Sequence, residues 1–155
     1  MILGIDPGAS GALAWLDDAG MLLAVEDMPA VMVLVGSKER RRVSSQMLAA
    51  LIRDTMPTRA YVERVGAMPG QGTASMFSFG FSAGLVDGVL AGLAIPVTYV
   101  QPATWKKAAG LVGGDKGAAR LRAAQLYPEQ AAMFARVRDD GRAEAALIAS
   151  FGARR

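Results

Sequence analysis

With neither a cysteine nor a histidine among its 155 residues, the chain cannot form disulfides, thiolate or imidazole zinc sites, or any Ser-His or Cys-His nucleophile. Its length suits one domain over residues 1–155, and 52% apolar against 20% charged residues is a globular rather than a disordered composition. The net charge of +3 is modest, but the cations cluster at Lys38, Arg40, Arg41 and Arg42, at Lys106 and Lys107, at Lys116, Arg120 and Arg122, and at Arg136, Arg138 and Arg142, which suits a polyanionic partner as well as solvated faces.

Residues 2–6 (ILGID) read as a short buried strand that ends on a carboxylate, Asp6, and PGASG then turns the chain. ALAWLDD (12–18) and MLLAVEDM (21–28), separated by a turn at Gly20, complete an antiparallel meander of three strands. GSKERRR (36–42) reads as a charged loop. Ser44 or Ser45 caps a helix running to about Thr55, with Met47, Leu48, Leu51 and Ile52 at helical spacing, and Pro57 ends it. RAYVERV (59–65) is a fourth strand that breaks into the glycine-rich loop GAMPGQG.

A long helix is expected from Ala74 to Leu93. Met76, Phe79, Ala83, Val86, Leu90 and Leu93 form one apolar face, and Gly80, Gly84, Gly88 and Gly92 form a stripe beside it that lets a backbone come close. Twenty mostly apolar residues with glycines four apart also describe a membrane span. The interior Asp87, three serines and the lack of flanking basic anchors favour a helix buried against a sheet or a twin subunit, and no membrane association is expected. IPVTYV (95–100) is a fifth strand. TWKKAAGL and the segment from Asp115 to Tyr127 are helical, and a last helix starts at Asp139 or Asp140 and runs through Phe151. Three meander strands followed by strands joined through helical crossovers make a five-stranded mixed α/β sheet with helices on both faces. This is the element order of the RNase H fold.

Acidic residues stand where these elements end or begin: Asp6, Glu63, Asp140 and Glu144. Each has an ordinary explanation alone, as turn former, strand charge or helix cap. Together they differ, because Asp140 and Glu144 share a helix face within the small, apolar segment DDGRAEAALIASF, and like charges there need a cation between them. With strand one beside strand four and the last helix across them, the four acids converge on one place. Oxygen-only sites of that kind select Mg²⁺ or Mn²⁺, and a pair of such ions can activate water and stabilise the leaving oxygen of a phosphodiester.

GIDPGASGALAW, YVERV, PATWKKAAGL with DKGAARLRAAQLYP, and DDGRAEAALIA, in that order over almost the whole chain, resemble the RuvC family of Holliday-junction resolvases, especially its short bacteriophage and prophage members. GIDPG alone also resembles the phosphate loops of actin-like ATPases and sugar kinases. The resemblance implies a homodimeric endonuclease that cuts four-way DNA junctions by paired symmetric nicks. Asp6 would bridge two metal ions, completed by Glu63, Asp140 and Glu144, while Lys107 or its neighbour Lys106, together with Lys116, would hold the scissile phosphate. A twofold dimer matches the approximate symmetry of a junction, and residues 76–93 are the candidate dimer surface. The basic groups Lys38, Arg40, Arg41, Arg42, Lys106, Lys107, Lys116 and Arg120 are candidates for phosphate contacts.

Three positions depart from the family's pattern. Glu144 stands where many relatives carry Asp. Asp140 precedes it by four residues, whereas cellular relatives space the pair by three, where this chain has Gly141; Asp139 is therefore an alternative to Asp140. The aromatic wedge of the cellular enzymes has only Met68, or Phe77 further along, to replace it. Two other readings stand beside the nuclease. One is a junction-binding protein of this fold that does not cut. The other is an actin-like ATP-binding module, for which 155 residues leave no room for a second subdomain and second phosphate loop, so no nucleotide cofactor is expected. No secretory signal pattern opens the sequence, so the expected location is the cytoplasm of a bacterial or phage-infected cell.

Overall fold

A computed structural model describes residues 1–66, 70, 72–111 and 117–155. In chain order the elements are β1 (Ile2–Asp6), β2 (Ala12–Leu16), β3 (Leu22–Asp27), β4 (Ala30–Val35), β5 (Lys38–Val43), α1 (Ser45–Thr55), β6 (Arg59–Glu63), α2 (Thr73–Gly92), β7 (Val97–Val100), α3 (Pro102–Ala108), α4 (Ala118–Leu126), two 3₁₀ turns (Pro128–Phe134 and Val137–Asp139) and α5 (Asp140–Ala153). Five strands form a sheet in the order β3-β2-β1-β6-β7. β1–β2 and β2–β3 are antiparallel, while β1–β6 and β6–β7 are parallel. This is the expected mixed sheet.

Alternation along the strands divides the core in two. Leu3, Ile5, Leu13, Trp15, Ala60 and Val62 pack with Leu48 and Ile52 of α1 and Val86 and Leu90 of α2. Ile2, Ala12, Ala14, Leu16 and Tyr61 face the other way, onto Trp105 of α3, Ala123 of α4 and the apolar length of α5. Helices therefore cover both faces of the sheet. Ser44 caps α1, its hydroxyl accepting from the Met47 N–H at 3.3 Å, one of the two capping serines the sequence offers.

The sheet and α5 approach so closely that side chains are excluded at the contact. A Cβ on Gly4 of β1 would lie 2.3 Å from the Ala145 carbonyl oxygen and 2.7 Å from the Ala149 Cβ, and one on Gly141 would lie 2.8 Å from the Ser10 carbonyl oxygen. Gly141, Ala145, Ala149 and Gly152 thus make a small-residue stripe on α5 that seats it against β1, β6 and the first turn. The glycine stripe of α2 behaves differently from expectation. Gly80, Gly84, Gly88 and Gly92 face open space among the described residues, and only Ser82, Val86 and Leu90 of that helix are buried.

The charged segment expected as a loop is a strand. β4 and β5 form a separate two-stranded antiparallel ribbon, paired from Ala30 with Val43 to Val35 with Lys38. Gly36, at φ +61, supplies the left-handed corner of its two-residue turn. The β-branched Val31, Val33 and Val35 favour extended backbone, and the row of charges on β5 suits a ribbon whose edge stays in water.

Candidate active site

Period two along β1 turns Gly4 and Asp6 toward α5, and along β6 it turns Tyr61 and Glu63 the same way. The two strands run parallel with Ile5 opposite Val62, so the next residues, Asp6 and Glu63, stand side by side where both strands end. Glu144, one turn into α5, comes down over them because the small-residue stripe lets the helix lie close. One carboxylate oxygen from each of Asp6, Glu63 and Glu144 lies within 4.8 Å of the other two.

Neighbours fix these acids. The Trp105 indole N–H donates to Glu63 Oε1 at 2.9 Å, the Gly8 N–H points at Asp6 Oδ1 at 3.5 Å, and Lys106 Nζ stands 3.6 Å from Glu144 Oε1. Gly11 belongs to the site for a steric reason, since a Cβ there would lie 2.8 Å from the carboxylate carbon of Asp6. Burial, reinforced by the charges of Glu144 and Glu63, pushes the Asp6 carboxyl up to about 7 from its ordinary 3.8. Burial also raises the Glu144 carboxyl, against the opposing pull of Lys106.

Three recessed carboxylates with one ammonium beside them gather negative charge in a place where burial already disfavours it, and both effects push the Asp6 carboxyl up. All the converging donors are oxygens. Such a set fits a hard divalent cation of the Mg²⁺ or Mn²⁺ type. Asp6 and Glu144 open into a cavity of about 730 Å³ lined also by Ser10, Arg40, Ser78, Ser82, Lys106 and Asp140, while Glu63 borders a separate hollow of about 400 Å³ with Pro7, Arg64 and Tyr99.

The remaining sequence-derived candidates fall in different places. Asp140 lines the same cavity, but it is exposed and its Oδ1 accepts from Arg120 Nε at 2.7 Å, apart from the three converging acids. Asp139, the alternative to it, has another task. It is buried, and its oxygens accept from the backbone N–H and guanidinium of Arg136 at 2.8 to 3.1 Å, bracing the turn that leads into α5. Of the lysine pair, Lys106 lines the cavity, whereas Lys107 is exposed and does not. On β5, Arg40 lines the cavity, Arg42 lies over the Phe81 ring at 4.9 Å, and Lys38 sits at the ribbon's tip. Phe77 is 71% exposed and stacks on Phe81 at 6.5 Å between centroids. Met68 and Lys116 lie outside the described residues.

Sequence reasoning missed Trp105. A tryptophan just ahead of two lysines reads as an anchor for the helix, and the signal that could have found its role is that a buried indole N–H needs an acceptor.

No family model and no curated protein matches this sequence. Solved structures do match the fold. The RuvC of Thermus thermophilus in complex with Holliday junction substrate aligns over 99% of this chain and 94% of its own, with a TM-score of 0.64 at 15% identity. A second T. thermophilus RuvC structure aligns over 99% and 95%, with a TM-score of 0.59 at 17% identity. The chain has the RNase H-like fold of these resolvase structures.

Proposed function

We propose that the chain is a divalent-metal-dependent endonuclease that resolves four-way DNA junctions, and other branched DNA of similar geometry, by paired nicks. The observation that carries this reading is the convergence of Asp6, Glu63 and Glu144 at the strand ends of a fold otherwise seen in a resolvase bound to its junction. Asp6 is central among the three, because the charges of both Glu144 and Glu63 act on it. Asp6, Glu63 and Glu144 would hold Mg²⁺ or Mn²⁺, as a pair of ions, and the bound metal would supply the positive charge that activates water and stabilises the leaving oxygen of a phosphodiester.

The chain's own groups divide the rest of the work. Trp105 orients Glu63, so its oxygen faces the site rather than solvent. Lys106, already drawn toward Glu144, is placed to pair with a non-bridging phosphate oxygen and with the charge that develops as the bond breaks. Arg40, which lines the cavity, and Arg120, which pairs with Asp140 on its wall, neutralise flanking phosphates, which positions DNA without reading its sequence. Lys107 and Lys38 extend the same positive rim outward. We assign the dimer contact to the exposed face of α2, where Phe77, Phe81 and the glycines look away from the sheet; two copies then present two identical sites to the two strands of a junction. The proposed setting is the cytoplasm of a bacterial or phage-infected cell.

One observation favours a second reading, a protein that binds junctions without cutting them. Asp140, the fourth acid, is tied to Arg120 rather than to the other three. Completion of the metal site by Asp140 requires that pair to part. The two readings separate when a synthetic four-way junction and a linear duplex are each incubated with the protein in Mg²⁺, Mn²⁺ or EDTA. Metal-dependent paired nicks near the branch point support the nuclease. Tight junction binding with no nick in any metal supports the binder, and equal cutting of linear duplex removes the structural selectivity.

A further inference from the structure

Behind the turn that carries Ser10 and Gly11 lies a second cavity, of about 310 Å³, lined by those two residues with Asp27, Arg41, Arg136, Arg138 and Arg142. Ser10 and Gly11 line the acidic cavity as well, so the two hollows share a wall. Its charge is opposite in sign. Two of the four arginines are committed within the protein: Arg142 makes a two-pronged contact with Asp27 at 2.6 and 3.0 Å, and Arg136 grips Asp139. Arg41 donates only to the Met28 carbonyl, at 3.3 Å, and Arg138 has no ion pair among the described residues. The fixed pairs hold the pocket's shape while Arg41 and Arg138 leave it positive.

We propose that this arginine pocket is a second phosphate subsite, which holds a backbone phosphate of the same DNA strand a short distance beyond the one at the acidic cluster. The inference rests on the nuclease reading for the identity of its ligand. The two guanidiniums left without an ion pair among the described residues, Arg41 and Arg138, match phosphate oxygens through forked donation. The ribbon ties the two sites together: β5 alternates, so Arg40 enters the acidic cavity while Arg41 enters the arginine pocket. A strand that crosses the Ser10–Gly11 wall therefore meets consecutive residues of β5 on its two sides. Its register at the acids is set by the grip beyond them.

The test is a thermodynamic cycle in EDTA, where no cutting occurs. Junction binding is measured with single methylphosphonates placed along the strand flanking the branch point, for the unaltered protein and for Arg41→Gln/Arg138→Gln. Both altered residues are exposed, and thermal melting confirms that the variant folds. For the unaltered protein, one flanking methylphosphonate weakens binding by about tenfold at 0.1 M salt, and the same substitution has no effect on the variant. The variant's salt dependence falls by about one to two counterions. Additive effects at every position, or an unchanged salt slope, overturn the subsite even if the protein binds and cuts junctions. If ATP raises the melting temperature of the unaltered protein and not of the variant, while the junction data are additive, the pocket takes free nucleotide and the assignment to DNA is overturned.

Discussion

Without metal, the three converging acids should make the protein less stable as the pH rises. Asp6 has a folded-state pKa of about 7 against an ordinary 3.8. Between those values the folded protein retains a proton that the unfolded chain has released. The stability tied to that proton is complete below about pH 4 and is lost as the pH climbs through about 7. The whole difference corresponds to about 4 kcal/mol, of which about 2.5 kcal/mol falls between pH 5 and pH 8. Glu144, raised by burial, acts in the same direction. The assay is urea unfolding in EDTA at the two pH values, on the unaltered protein and on Asp6→Asn, which keeps the shape and removes the charge. The unaltered protein should lose about 2.5 kcal/mol relative to the variant on going from pH 5 to pH 8, or roughly 5 to 10 °C in Tm. Mg²⁺ at about 100 times its Kd should then restore about 2.7 kcal/mol at pH 8 to the unaltered protein only. Parallel pH curves for the two proteins in EDTA would refute the reasoning, because Asp6 would then carry its charge in the fold at no cost.

Other expectations follow from individual contacts. Gly4→Ala drives a methyl into the Ala145 carbonyl oxygen and the Ala149 Cβ, so urea unfolding should register a loss of about 3 kcal/mol. Trp105→Phe removes the donor to Glu63; calorimetric Mg²⁺ titration should show binding weakened by about tenfold, with the fold intact by circular dichroism. Lys106→Met should lower the single-turnover nicking rate on the order of 10²-fold while junction affinity moves by less than about tenfold. Arg120→Gln should change stability by less than about 1 kcal/mol, yet it frees Asp140 from its ion pair, so Mg²⁺ binding should tighten; unchanged metal affinity would remove Asp140 from the metal site.

Sequence periodicity made most of the fold legible. β1, β6 and α2 lie within a residue or two of where their apolar spacing puts them, and the strand order follows from how meanders and crossovers connect. The ribbon did not show itself, because the charges of KERRRV mask a strand that pairs, among the described residues, with the valine-rich segment before it alone. Asp6 and Glu63 could be singled out because each ends a strand, and sheet alternation turns both to the side that α5 covers, where Glu144 lies one turn into the helix. The choice between Asp139 and Asp140 was not readable. It turns on Arg136, three residues upstream, whose guanidinium holds Asp139 and so sets where α5 begins. The glycines posed a similar problem. The regular stripe in α2 drew the eye, while the close approach that builds the site belongs to Gly4 and Gly141, whose partners only the folded chain brings near.

Nicking of a four-way junction in Mg²⁺ by the unaltered protein and by Asp6→Asn tests the central claim most directly. The carboxylate geometry predicts paired cuts near the branch point that EDTA abolishes and that the variant loses by more than about 10²-fold while still binding the junction. Cutting that persists in the variant, or that proceeds in EDTA, would contradict it.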